Sequence, residues 1–554
     1  MAAYSIGLDF GTESARALLL DLETGEEVAL AEFAYPHGVI SGQLPVEEEV
    51  PLGRDWFLQD PDDYVEALLA LIPAVLEKGG AAGRDVVGLG LDFTSCTVMP
   101  CDAHGEPLCR DEAFRADPQA WVKLWKHHGA AAEAEEVLRV AQERQEEFLR
   151  YYAGTVSSEW LVPKVLETLH RSPEVFDAAD TFVEGADWVV WQLTGVLARN
   201  ACCAGYKAQH VGELGWPSPE FLAALDPRLE DLFSDKVTGD ILPPGTTVGG
   251  LLPRWADRLG LPEGIPVAAP FIDAHAAVPG CGVPGPGRMV LVLGTSFCHM
   301  ILHEDARFFE GVFGMVRDGI LPGYYGYESG QTAGGDIYAW FIENCVPAAC
   351  AAEAEERGVS LHELLSERAA RLRPGESGLL ALDWWNGNRS VLMDADLSGL
   401  LVGLTLDTRP EEIYRACIEG TMFGTRRILQ AYLDAGIPVD RLIACGGLPQ
   451  KNAFAMQVLA DVLGRPIEVA SSGQTAALGS ALLGCAAAGE EATGFATITE
   501  AAAALVPPPS GTFSPDPDAT AAYDDLYAEY VRLHDYFGRT ERTMQRLRKR
   551  QRGE

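Results

Sequence analysis

The sequence predicts an α/β chain assembled as two similar halves, and three observations predict it. Apolar runs of strand length alternate with amphipathic runs of helical length through most of the chain. A strand, a Gly-Thr turn and a second strand occur at Leu8-Asp9-Phe10-Gly11-Thr12 and again at Leu291-Val292-Leu293-Gly294-Thr295, about half the chain length apart. Between the two copies, residues 279–287 hold three Pro and four Gly, the strongest linker signal in the 554 residues. Length alone allows roughly three or four domains of about 150 residues each. The repeat and the linker reduce that to two lobes, residues 1–278 and 288–554.

The elements follow in order. Residues 4–9 and 15–21 read as strands around the turn 10–14, and a third strand ends near Tyr35. A helix begins at Asp60 with Pro61 in its first position, where a missing N–H costs nothing, and runs to about Lys78. Residues 86–92 form a continuous apolar strand of the buried kind. Residues 118–195 read as a mostly helical insertion in the first lobe. Beyond the linker, strands are expected at 288–294 and 297–303. Helices are expected at 333–344 and 410–435. Then come a strand at 441–445, a helix at 452–463, a strand at 466–470 and a helix at 475–488. A long helix from about Asp518 closes the chain.

Four segments carry residues suited to phosphate chemistry. At the first Gly-Thr turn, Gly11 leaves backbone N–H groups open to a phosphate, and Thr12 and Ser14 add hydroxyls. Arg16 is always charged and matches a phosphate oxygen. Asp9, at the end of a buried strand, can hold Mg²⁺ directly or through water. Gly294-Thr295-Ser296 repeats the turn in the second half. Two such hairpins facing an interlobe cleft would clamp phosphates from both sides, as phosphoryl transfer requires. Cys445-Gly446-Gly447, followed by Asn452, is a strand-to-helix turn with no Cβ to block a nucleotide. Asp273, after the strand 266–269 and just before the linker, can take the proton of an attacking hydroxyl; His275 beside it reads as a packed residue. At each place an ordinary polar turn or helix cap is the competing reading. The stretch 476–481 reads as a close-packed helix with a structural role.

Other patterns fail. Gly280-Cys281-Gly282-Val283-Pro284-Gly285 satisfies a dinucleotide fingerprint, but its prolines forbid the helix that fingerprint must open. No Gly-Lys pair exists for a Walker A loop. His299 and His303 share a strand face about 13 Å apart, too far for a joint metal site.

The charge balance is 42 Lys+Arg against 81 Asp+Glu, a net −39, with 47% hydrophobic residues. The apolar fraction is that of a folded globular protein. The acidity argues against nucleic acid as a partner and against an anionic membrane surface. The 12 Cys form no CxxC pair and read as reduced thiols. With Asp9 interrupting the first apolar run, a signal peptide is not expected, and a cytoplasmic location is. Residues 539–552 hold seven basic side chains and one acidic one; an intramolecular or homodimer contact is expected there ahead of nucleic acid.

Taken together the constellation resembles the FGGY carbohydrate kinases, from Tyr4 to about Gly489. Within that family the bacterial L-ribulokinase branch is most similar. The resemblance is carried by Leu91-Asp92-Phe93-Thr94-Ser95-Cys96-Thr97, by residues 293–300 (LGTSFCHM), by Tyr327-Glu328-Ser329-Gly330-Gln331 and by residues 382–389 (LDWWNGNR). It implies a duplicated actin/hexokinase/Hsp70-like (ribonuclease H-like) ATPase fold with an interlobe cleft, and MgATP-dependent phosphorylation of L-ribulose at O5 in arabinose catabolism. It also implies roles. Asp273 matches the catalytic base and Asp9 the Mg-associated aspartate. Thr12 and Thr295 match the phosphate-turn threonines. Gly335, Gly446, Gly447 and Asn452 match nucleotide-side positions. Ser95, Lys207, Asp273 and Glu328 match sugar contacts. Relatives that take glycerol carry Arg-Glu where this chain has Thr94-Ser95, which disfavours glycerol. D-ribulose, ribitol and xylulose remain alternatives within the fold, and a non-enzymatic actin-like ATP-binding protein is the alternative from another class.

Overall fold

The computed structural model describes residues 3–552. They form two compact units. The first holds the chain up to Gly285 with Gly314–Gly326 and Gln474–Pro507; the second holds Pro286–Phe313, Tyr327–Gly473 and the chain from Pro508 onward. The units are therefore interleaved, where a single division at 278/288 is the sequence expectation.

In the first unit, strand β1 (Tyr4–Phe10) turns into β2 (Ser14–Asp21) and β3 (Glu27–Ala34). Helix α1 (Pro61–Gly79) starts as its sequence dictates: the Asp60 side chain accepts the Asp62 N–H, Pro61 opens the helix, and Gly80 closes it at φ 61°. Strand β4 (Val86–Phe93) lies parallel to β1, and β5 (Val98–Cys101) follows it. Helix α2 (Leu161–Arg171), strand β6 (Thr181–Glu184), helix α3 (Gly185–Thr194) and helix α4 (Ala201–Lys207) come next. Then β7 (Thr247–Gly250), β8 (Pro266–Ala268) and β9 (Phe271–Ile272) lead into helix α5 (Asp273–Gly280). The sheet order is β7-β8-β4-β1-β2-β3, with β9 also beside β4.

The second unit repeats this plan. It contains β10 (Gly287–Leu293), β11 (Phe297–His303), β12 (Tyr325–Gln331), α6 (Gly335–Cys345), α7 (Pro410–Asp434), β13 (Val439–Cys445), α8 (Ala453–Leu463) and β14 (Ile467–Val469). Helix α9 (Thr475–Ala488) belongs to the first unit, and β15 (Gly511–Phe513), α10 (Pro517–Asp535) and α11 (Thr543–Arg552) to the second. The second sheet runs β12-β11-β10-β13-β14-β15. In both sheets a hairpin (β1–β2, β10–β11) has its first strand extended by a parallel partner (β4, β13). The duplication suggested by two short turns is thus a duplication of topology.

One expectation holds and another needs correction. Residues 118–195 are mostly helical, with Val122–Lys123 and β6 joining β5 and Leu58–Gln59 in a small separate sheet. The Pro/Gly run 279–287 is only partly a linker. Pro279 and Gly280 finish α5, and a Cβ on Gly280 would lie 1.9 Å from the Thr475 carbonyl oxygen, so that glycine is there for helix packing. The basic C-terminal segment docks within its own unit: Arg539 makes a two-pronged pair with Glu310 at 2.8 and 2.9 Å, and Gln545 donates to Asp394 at 2.9 Å.

Helix α9 lies on β1 and β4 at backbone contact distance. A Cβ on Gly7 would fall 2.0 Å from the Ala477 carbonyl oxygen, and one on Gly90 would fall 2.0 Å from that of Ser480. Neither neighbour is a flexible side chain, so the helix itself would have to move. Gly90→Ala is expected to destabilise the protein by about 3 kcal/mol or more, at the upper end of overpacking effects. Gly511→Ala, with nothing near its added Cβ, is expected to stay within about 0.5 kcal/mol of wild type. Urea unfolding of both variants checks the difference.

Candidate functional site

In the first unit three aspartates gather at the ends of neighbouring elements. The sequence Gly-Leu-Asp-Phe occurs twice, in β1 and β4, and the parallel register pairs the copies residue for residue: Gly7 with Gly90, Leu8 with Leu91, Asp9 with Asp92, Phe10 with Phe93. The two phenylalanine rings stack at 5.0 Å. Asp92 also lies opposite Phe271 of β9, two residues before Asp273. Asp9 and Asp92 are both buried, and their carboxyl groups are hydrogen-bond neighbours. Burial pushes both up; Arg16 pulls Asp9 back down, and the charges of Asp9 and Asp273 push Asp92 further up. Two facing carboxyls attract only with a proton between them. Arg16, at 3.4 Å, stands on the Asp9 side and opposes the rise there. Asp92 Oδ2 accepts the Ser480 hydroxyl of α9 at 2.6 Å. Sequence reasoning missed Asp92 as a site residue; the exact repeat of four residues was the available signal.

The first Gly-Thr turn is held from behind. Gly11 N–H donates to the Ser14 carbonyl at 3.0 Å, and Gln59 donates to the Thr12 carbonyl at 2.7 Å. The Trp125 indole donates to the Thr12 hydroxyl at 3.0 Å. With its oxygen receiving that bond, the Thr12 hydroxyl still has a proton to donate. Arg16 and Ser14 are directed differently from the expectation that they serve phosphate: the Arg16 fork is on Asp9 and on Glu32 at 3.1 Å, and Ser14 donates to Glu32 at 3.3 Å.

Asp273 occupies the first turn of α5, where the helix dipole favours negative charge, and its Oδ1 accepts the Ala274 N–H at 2.7 Å. His275 is buried, stacked on Tyr206 at 4.3 Å and 3.1 Å from the Cys202 sulfur. Lys207 ends α4 and is buried. Ser95 lies half-buried in the β4–β5 turn. That turn is tightly built: Thr94 and Thr97 hydroxyls meet at 2.9 Å, Cys96 adopts φ 55°, and the buried Lys164 ammonium donates to the Cys96 carbonyl. Burial pushes the Cys96 thiol up to about 12, against the pull of Lys207 and Lys164.

In the second unit the glycine turns converge. Gly335 N–H donates to the Gly294 carbonyl at 3.0 Å, and Gly334 and Asp336 donate to the Thr295 carbonyl at 2.8 and 3.2 Å. The second Gly-Thr turn therefore caps α6. A Cβ on Gly335 would meet the Gly294 oxygen at 2.7 Å. Gly446 stands at φ 93° beside the Leu293 carbonyl, a conformation that demands glycine. Gly447 has nothing within 4 Å of its Cβ direction, and Thr295 is exposed. Asn452 does not present its side chain to that group: its Oδ1 caps α8 by accepting the Ala455 N–H at 3.0 Å, and its amide donates to Ser366 at 3.2 Å. Glu328 is buried on β12, near Tyr432. His299 and His303 do not form a metal site; His299 is buried on Gln331 at 3.3 Å and held down at about 4, and His303 meets the Asp305 carbonyl.

A carbohydrate-kinase class is what this duplicated fold and these paired turns define. The N-terminal domain of the FGGY family of carbohydrate kinases matches residues 4–280 and the C-terminal domain matches residues 289–488, so the chain belongs to that family. It is 52% identical over 546 residues to a ribulokinase of Geobacillus thermodenitrificans, covering 98% of this chain and 96% of the relative. It is equally similar, 52% over 546 residues with the same coverage, to a ribulokinase of Anoxybacillus flavithermus. A solved xylulose kinase from Rhodospirillum rubrum shares the fold at a TM-score of 0.76 and 22% identity, covering 96% of this chain and 98% of that one.

The Asp9–Asp92 geometry makes a prediction. Asp92→Asn can still donate to Asp9 and accept from Ser480, and is expected to unfold within about 1 kcal/mol of wild type. Asp92→Ala strands both partners in a buried place and is expected to cost about 1–3 kcal/mol. Chemical denaturation of the two variants measures this.

Proposed function

We propose that the chain is an ATP-dependent ribulokinase that transfers the γ-phosphoryl group of ATP to O5 of L-ribulose. The observation that carries this reading is full-length similarity at 52% identity to proteins named ribulokinase, joined to a site with the acid–base group such a reaction needs. Asp273 acts as general base. Its carboxylate accepts the proton of the sugar hydroxyl as that oxygen attacks phosphorus, and the N-terminus of α5 favours the charged form from which it works. Lys207, Ser95 and Glu328 recognise the sugar hydroxyls. A polyol bound in a water-poor site must find a partner for each hydroxyl, or lose about 1–3 kcal/mol for each one left unpaired.

The glycines at 294, 335, 446 and 447 make the nucleotide side, where backbone N–H groups and the Thr295 hydroxyl meet phosphate and ribose. The Thr12 hydroxyl, with Trp125 on its oxygen, donates its proton to a phosphate oxygen. The donor set also suits Mg²⁺. Among the described residues no group of three or more His, Cys, Asp or Glu side chains is placed to hold a metal by itself, and Mg²⁺ in kinases takes only one or two carboxylates and completes its shell with phosphate and water. Asp9, beside Arg16 and Asp92, would supply that carboxylate. When bound, Mg²⁺ neutralises charge on the phosphates. Among the described residues no helix is long and apolar enough to cross a membrane. All twelve cysteines are free thiols, in keeping with a reducing, cytoplasmic setting.

Asp273→Asn is expected to lower kcat by a factor of about 10²–10⁴ or more while ATP still binds. Coupled ADP release, with nucleotide binding followed by calorimetry, measures both; near-normal turnover would remove Asp273 as the base. The same assay across L-ribulose, D-ribulose, ribitol, xylulose and glycerol is expected to rank L-ribulose first. Chelation with EDTA is expected to abolish turnover, and Mg²⁺ to restore it.

A further inference from the structure

We propose that Lys164 is a positioning residue for the transfer, its buried ammonium holding the turn that carries Ser95 beside the segment whose Trp125 supports Thr12. The proposal rests on the reading of Ser95 as a sugar contact and of Thr12 as a phosphate donor.

Lys164 lies in α2 and is 1% exposed. Its ammonium donates to three backbone carbonyls: that of Cys96, that of Leu124 at 2.9 Å and that of Lys123 at 3.3 Å. An ammonium carries three protons and no acceptor, so three carbonyls match it in full. Bonds from a charged donor are roughly twice as strong as those between neutral groups. The acceptors come from two segments distant in sequence. Cys96 follows Ser95 in the β4–β5 turn, and Leu124 precedes Trp125, whose indole donates to the Thr12 hydroxyl at 3.0 Å. The antiparallel pairing of Val98 with Lys123 brings the two segments together. The residues before Val98 and those after Lys123 leave that pair in the same direction, and the ammonium bridges them.

Two further observations point to geometry as the task of this lysine. Cys96 stands at φ 55°, a left-handed conformation that a residue with a Cβ keeps only where its surroundings impose it. The Lys164 bond falls on the carbonyl of that same residue. The neighbouring buried lysine is used otherwise. Lys123 directs its ammonium at the Glu167 carboxylate at 2.9 Å, the Thr168 hydroxyl at 2.7 Å and the Gln119 side-chain oxygen at 2.5 Å, as well as at the Lys164 carbonyl at 2.9 Å. Each lysine thus donates to the other's carbonyl, and α2 is clasped to the segment that leads to Trp125. Lys123 has a carboxylate for its charge, whereas Lys164 directs its charge at backbone. A buried ammonium is costly where a methionine of similar length would fill the same space. What methionine cannot do is hold three carbonyls.

Lys164→Met keeps the length of the side chain and removes the three donors. A shift of about 1 Å at a reacting group costs about a hundredfold in rate. In the full chain with MgATP, kcat/KM for L-ribulose is therefore expected to fall by a factor of about 30 or more in Lys164→Met. KM for ATP is expected to stay within about threefold of wild type, because the glycine turns read as the nucleotide side lie in the second unit and the bonds of Lys164 in the first. A folded Lys164→Met protein with kcat/KM for the sugar within about threefold of wild type overturns the proposal. So does a rise in ATP KM as large as the rise in sugar KM, the mark of general loosening. Should Lys164→Met fail to fold, Lys164→Gln, with two N–H donors at shorter reach, carries the same test. If neither folds, the residue is an element of stability alone and the proposal is overturned. Ser95→Ala and Thr12→Val test the underlying reading separately. If both keep the wild-type kcat/KM, that reading fails and the proposal with it. If either is impaired while Lys164→Met is not, the reading stands and the proposal alone falls.

Discussion

The contact on which the first unit depends is helix α9 seated backbone-to-backbone on β1, β4 and α5. Glycines make it: Gly7 and Gly90 on the strands, Gly280 on α5, Gly479 on α9 itself, each with a carbonyl oxygen about where a Cβ would be. The three elements under this helix are the three that lead to Asp9, Asp92 and Asp273. A strand end can place a carboxylate only as firmly as the strand is held, and here the holding is close-packed and without rotatable side chains. One residue of α9 goes further: Ser480 donates directly to Asp92. The helix is therefore both the backing of the sheet and part of the polar group in front of it.

Much of this was legible in the sequence, for identifiable reasons. Helix α1 declares itself through Asp60, Pro61 and Gly80, because capping is local chemistry. The hairpins at Gly11 and Gly294 declare themselves because a turn needs particular residues at particular places. What was not legible depends on contacts distant in sequence. Arg16 looks like a phosphate ligand until Glu32 is brought to it from β3. Asn452 looks like a nucleotide residue until its amide is found donating to Ser366. The Pro/Gly run at 279–287 looks like a plain linker until Gly280 is seen against Thr475. In each case the residue type was read correctly as special, and the partner that explains it lies elsewhere in the chain.

Acidity posed the converse difficulty. A net charge of −39 excludes a general affinity for polyanions, yet ATP is a polyanion. The resolution is a matter of range. At physiological ionic strength, exposed charges more than about 8 Å away are largely screened. A phosphate therefore meets chiefly the groups beside it. Backbone N–H groups at glycine turns and hydroxyl protons attract a phosphate without any net positive charge.

Placing three carboxyl groups close together would normally be self-defeating, since each ionisation opposes the next. The twin Gly-Leu-Asp-Phe strands offer a way out. Their register forces Asp9 and Asp92 side by side, and burial with the charges of Asp9 and Asp273 pushes the Asp92 carboxyl up. Asp92 accepts the Ser480 hydroxyl of α9 and faces Asp9 across the paired strands. Asp273 lies close enough for its charge to add to that rise. A repeated tetrapeptide that looks redundant in the sequence thus sets two chemically identical side chains in different surroundings, one beside Arg16 and the other on the Ser480 hydroxyl.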